Sequence, residues 1–181
     1  MKIYVDKQSF EISSRNVITG IVSLKIDKDI FFPERDWNDS VIIILIFWIE
    51  DIIEIRVKKL RTMKFYFFDG PFAFEFIEKQ KLSYLQLFDN GKTVSRRHVN
   101  FNNFVNGFQR NLLKCCEEVI EEMDKRGWVT PETVKLKLLF KELSSYANPL
   151  LRVSNLWRAS CQLSADASWK LAPCQPRDTL R

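Results

Sequence analysis

Two short groups of residues hold most of the chemical interest in this chain. Asp36, Trp37 and Asp39 stand just ahead of a long apolar run, and Asp69, Gly70 and Pro71 form a turn-like triplet after it. Carboxylates at such positions support two kinds of chemistry. Brought together in a pocket, Asp36, Asp39 and Asp69 could serve as the acid, base or nucleophile of a small hydrolase or nuclease-like enzyme. Set around exposed Trp rings, the same acids would instead frame a protein-binding hot spot, where aromatic anchors supply the energy and charges select the partner. The plainer alternative is that the tryptophans are core and the aspartates cap a helix. A second group, Lys92, Arg96, Arg97 and His98, could meet phosphate or an acidic protein, or simply keep an exposed strand edge from pairing.

Other chemistry finds little support. His98 is the only histidine, and there is no glycine-rich phosphate loop and no His/Cys spacing of a metal site, so neither cofactor nor metal is expected. The adjacent Cys115 and Cys116 fall inside a helical pattern, where neighbouring side chains diverge, and read as buried structural thiols. The acidic run Glu117, Glu118, Glu121, Glu122 and Asp124 reads as a solvated helix face with pairs such as Glu121 with Lys125.

These residues must be positioned by the elements around them. Val41 to Ile49 is an unbroken apolar run, too short for the roughly 20 residues of a membrane span. Glu50, Asp51, Glu54, Lys58 and Arg61 then recur at helical spacing, which predicts a helix over 39–59 with Trp48 on its apolar face. Asn38, Asp39 or Ser40 is the expected cap. Ahead of it, Lys2–Val5 and Ser9–Ser13 are predicted as a hairpin and Val17–Ile26 as a longer strand. Beyond it, Met63–Phe68 and Phe72–Ile77 flank the Asp69-Gly70-Pro71 turn, and Tyr84–Phe88 and Thr93–Val99 flank Asp89-Asn90-Gly91-Lys92, a strong hairpin signal. A helix from Phe101 to Arg126 ends at Gly127, and another begins at Thr130-Pro131 and runs to Leu143. The implied fold is α+β: a mostly antiparallel sheet of six to eight strands, the central helix on one face, and two C-terminal helices.

Composition divides the chain near residue 143. All 15 Phe and all five Gly precede Ser144, and five of the Ala follow it. Residues 1–143 read as one domain, and 144–181 as a disordered or non-native tail. That tail holds five basic and two acidic residues, so of the formal +5 only +2 belongs to the rest. A nearly neutral body gives no electrostatic case for nucleic acid. The start, MKIYVDKQSF, has no apolar core of signal-peptide length, which points to the cytoplasm.

Phe32-Pro33, then Trp37 and Asp39, an apolar helix with Trp48, then Asp69-Gly70-Pro71, resembles a pattern in small uncharacterised bacterial proteins. It is also similar in build to the immunity proteins of bacterial toxin systems. The resemblance covers about residues 20–100, and Phe47 stands where it suggests a second Trp. It implies a small cytoplasmic α+β protein that works by occupying a protein partner, and carries no catalytic residue with it.

Overall fold

The computed structural model describes residues 1–147. In chain order the elements are β1 (Lys2–Ile12), β2 (Ile18–Lys25), β3 (Phe31–Phe32), β4 (Asn38–Asp39), α1 (Val41–Lys58), β5 (Thr62–Tyr66), β6 (Phe72–Lys79), β7 (Leu82–Asp89), β8 (Lys92–His98), α2 (Phe101–Arg126) and α3 (Pro131–Ala147). The fold is α+β and its strand pairs are antiparallel. The strands form two four-stranded sheets rather than one. In the first, β2 pairs with β1 on one side and with the short β3 and β4 on the other. The second is a meander in the order β5-β6-β7-β8, so β5 and β8 are its edges.

The predicted N-terminal hairpin is in fact a single strand. Lys2–Asp6 pairs with Ile21–Lys25, and Glu11–Ile12 pairs with Ile18–Thr19, with an irregularity between them. The polar residues there make a bulge, not a turn. Ser9 Oγ holds it, donating to Asp6 O at 2.6 Å and accepting from Ile21 N at 2.7 Å. From the far side, the Arg126 guanidinium donates to Lys7 O at 2.7 Å and Phe10 O at 3.0 Å, fastening the bulge to the end of α2.

Helix α1 lies at the centre, packed against β2, β5, α2 and α3. Its buried side chains are spread so widely around the axis that one sheet could not cover them. Trp48 is fully buried, with ring contacts to Phe67, Phe74 and Phe108 and its indole N–H donating to Tyr66 O at 3.0 Å. The helix begins two residues later than predicted because Asn38 and Asp39 are taken by β4, opposite Ile21 and Gly20. Ser40 holds the cap position without a side-chain capping bond.

Helix α2 starts and stops where its end signals lie, and α3 starts where its own signal lies. The Asn100 side chain accepts from Asn103 N, and Gly127 closes α2 at φ 68°. Thr130 and Thr133 bond each other's backbone N–H reciprocally. Helix α3 passes the predicted end at Leu143 and continues through Ala147. The rest of the expected tail, 148–181, lies outside the described residues. A polar bridge ties the three helices. Arg56 of α1 donates to Gln109 of α2 at 2.7 Å, and Gln109 donates to Leu143 O of α3 at 3.5 Å. No helix among the described residues is long and apolar enough to cross a membrane.

Candidate functional site

The first sheet, the start of α1 and the β5–β6 turn meet at Asp39. Because β4 pairs with β2, the Asp39 side chain is carried under the turn formed by residues 67–71, and it is 0% exposed. Both oxygens are occupied. Oδ2 accepts from Trp37 Nε1 and Phe68 N, each at 3.0 Å, and Oδ1 accepts from Ser40 N at 2.7 Å and Asp69 N at 3.1 Å. Four donors fill the roughly four lone-pair sites of a carboxylate. Burial pushes the Asp39 carboxyl above its usual range, opposed by the hydrogen bonds from Trp37, Asp69 and Ser40. The group is a clamp that shapes the turn from below.

The structure therefore brings the predicted residues together but sorts them by depth. Asp36, Asp69 and Pro71 are exposed, Trp37 and Gly70 are half-buried, and Asp39 is beneath the surface. Asp39 thus leaves the list of residues a partner could touch. Its side chain also fails to cap α1: it accepts from Ser40 N, whose own Oγ donates to Asp69 at 3.4 Å. Trp37 packs edge-on against Phe72, ring centroids 4.9 Å apart, and lies against Gly70.

Beside this turn lies a surface that the sequence reading missed. Phe47 of α1 is 46% exposed and Phe68, next to the turn, is 54% exposed; their rings stack with centroids 6.4 Å apart and planes 30° from parallel. Tyr66, at 60% exposure, joins them. Together with Asp51, Lys64 and Phe67 these residues line an open groove of about 340 Å³. Desolvation pushes the Asp51 carboxyl up to about 7, helped by the negative charge of Glu54 and Glu50. A signal for this surface was present. Phe47 stands four residues before Asp51 and seven before Glu54, so it is an aromatic on the polar stripe of the helix.

The basic group is dispersed along an edge. Lys92, Arg96, Arg97 and His98 are exposed on β8, as expected of a charged edge strand. His98 packs against Tyr84 at 4.5 Å between centroids, and Arg96 lies 5.3 Å over the same ring. Cys115 and Cys116 are buried in α2, and burial pushes the Cys115 thiol up to about 12 and Cys116 well above its usual value, which suits structural thiols. In the acidic run, Glu122 pairs with Arg126 at 2.7 Å and Glu118 with Lys114 at 3.8 Å, in place of the expected Glu121–Lys125 pair. Among the described residues no group of three or more His, Cys, Asp or Glu could hold a metal ion.

No protein-family model, curated protein or solved structure matches this chain.

Proposed function

We propose that this chain is a non-enzymatic protein-binding module, of the kind that neutralises a toxin by occupying it. Its binding face runs from Asp36, Trp37 and the Asp69-Gly70-Pro71 turn across Phe68 to Phe47 and Tyr66. The observation that carries the reading is the stacked, solvent-facing pair Phe47 and Phe68. Apolar rings left in water cost free energy that a partner's surface recovers, and large aromatics grouped beside charges are what binding hot spots are made of. Acidic Asp36 and Asp69 on the rim favour a basic partner surface and would speed encounter with it.

The saturation of Asp39 weighs against the carboxylate-dependent hydrolase reading. A carboxylate that already accepts four hydrogen bonds and has no exposed surface cannot reach a substrate or take up its proton.

The test is a binding assay between the purified protein and the product of the gene next to its own. Trp37→Ala, Phe68→Ala and Asp69→Lys should each weaken binding at least tenfold, a loss of about 1.4 kcal/mol, with circular dichroism unchanged. Binding that ignores these three changes but is abolished by Arg96→Glu would move the interface to the β8 edge. Turnover of a phosphodiester or peptide substrate that Asp36→Asn or Asp69→Asn stops would replace the binding reading with the enzymatic one.

A further inference from the structure

We propose that the groove between α1 and β5 is a receptor for one arginine side chain of the protein partner, with the Phe47 and Phe68 rings as its stacking platform and Asp51 as its counter-charge. This deepens the protein-binding reading and rests on it, since it names the partner's anchoring group.

Three observations lead there. The first is shape and lining. The groove is open to solvent, about 340 Å³, and bounded by Phe47, Tyr66, Phe67 and Phe68, with one carboxylate among them. Aromatic faces attract cations, and a planar guanidinium can lie flat on a ring while its N–H fork faces a carboxylate.

The second is that Asp51 alone of its acidic neighbours is left over. Glu50 is paired with Lys135 of α3 at 2.7 Å, and Glu54 with Lys58 at 2.6 Å. Asp51 has no hydrogen bond or ion pair with any of the described residues, although it is half-buried. A carboxylate placed so has lost part of its hydration without gaining a partner, and an incoming cation would restore the balance.

The third concerns the one cation already in the groove. Lys64 does not fill the role, because its ammonium lies 4.2 Å from the centroid of Phe88 and 5.3 Å from that of Tyr66, across the outer face of the sheet. The charged groups that line the groove are Asp51 and Lys64. With Lys64 held against the rings of Phe88 and Tyr66, Asp51 is the charge left to meet an incoming group, and it favours a cation over an anion. Arginine is preferred to lysine because its guanidinium is flat, weakly hydrated and two-pronged.

The pH behaviour follows from the same group. With the Asp51 carboxyl near 7, it is about nine-tenths ionised at pH 8 and about one-tenth at pH 6. A cation that needs the carboxylate should bind roughly tenfold more weakly at the lower pH.

The experiment titrates the isotopically labelled full chain by NMR with n-butylguanidinium, n-butylammonium and n-butylurea, the last a neutral isostere of the first. Butylguanidinium is expected to shift the amides of Phe47, Asp51, Tyr66 and Phe68 saturably and to bind about tenfold more tightly at pH 8 than at pH 6. It should also exceed both other probes at pH 8. Asp51→Asn should remove the pH dependence and the advantage over butylurea, and Phe68→Ala should weaken binding at both pH values. Equal binding of butylurea, tighter binding of butylammonium, shifts that map to β8, or no saturable shift would each overturn the proposal. A missing response to these small probes alongside intact Phe68-dependent partner binding would overturn the arginine receptor and leave the binding module standing.

Discussion

The indole of Trp37 lies so close to Gly70 that a Cβ added there would sit 2.7 Å from Cζ2 and 2.8 Å from Cη2. The ring cannot easily step aside, because Asp39 holds its N–H and Phe72 packs against it in a T-shaped pair. Gly70 is therefore required by contact with Trp37. Gly70→Ala should destabilise the protein by about 1–3 kcal/mol, the usual range for overpacking. In a Trp37→Ala background the same change should cost far less, because the colliding ring is gone. Denaturant midpoints of the four proteins give the coupling directly. Equal costs in both backgrounds would mean that Phe72, whose Cδ2 lies 3.0 Å from the added Cβ, or the turn's own backbone, and not Trp37, demands the glycine.

Asp39→Asn keeps the shape of the side chain and halves its accepting capacity. At least one of the four N–H groups that converge on it would then face an amide NH₂. Each buried donor left unpaired costs about 1–3 kcal/mol, so a clear loss of stability is expected in chemical denaturation. A carboxylate kept for catalysis would behave the other way, with the midpoint unchanged and an activity lost.

How much of this could be read in the sequence varies with how local its cause is. The second hairpin was legible because Asn90 and Gly91 adopt positive φ values of 50° and 75°, which that residue pair tolerates. The tight link between β6 and β7 was less so, since it uses Gln80 and Lys81 at φ 50° and 69°, with no glycine to announce it. The β1 bulge was misread because Arg126, which fastens it, comes from the far end of the domain. The convergence of Trp37 with the Asp69 turn was anticipated, but depth within it was not. Whether an aspartate before a helix is a surface group or a buried clamp depends on β4 pairing with β2, and a two-residue strand leaves no periodic trace. The exposed Phe47 was hidden inside a run of apolar residues. Only extending the polar stripe of Asp51 and Glu54 back by one turn singles out Phe47 as the member of the run that faces solvent.

Trp48 joins α1 to the second sheet through both packing and a hydrogen bond. Trp48→Ala should cost about 3–5 kcal/mol, because the ring is fully buried among Phe67, Phe74 and Phe108. Trp48→Phe isolates the polar part. It retains an aromatic ring but leaves the Tyr66 carbonyl without its indole donor, and should cost less than the alanine change. Denaturation with near-ultraviolet dichroism as the probe compares them. A midpoint for Trp48→Ala equal to wild type would contradict the burial.

The last prediction concerns Asp51 and stability. In the folded protein its carboxyl is raised to about 7 by desolvation and by Glu54 and Glu50, while in the unfolded chain it titrates near 4. Between those values the folded protein holds a proton that the unfolded chain has released, so unfolding sheds protons and stability falls as pH rises. The decline begins near pH 4 and ends as pH passes the folded value near 7. Asp51→Asn has no proton to lose, so the variant should gain on wild type steadily across that window and keep a constant advantage above it. Urea midpoints of both proteins at half-unit steps from pH 4 to 9 would show the gap opening and then levelling. A gap that stays flat from pH 4 to 9 would show that Asp51 titrates as a solvated carboxylate and gains nothing from a guanidinium. A gap of the opposite sign would mean that a cation within the chain already partners it.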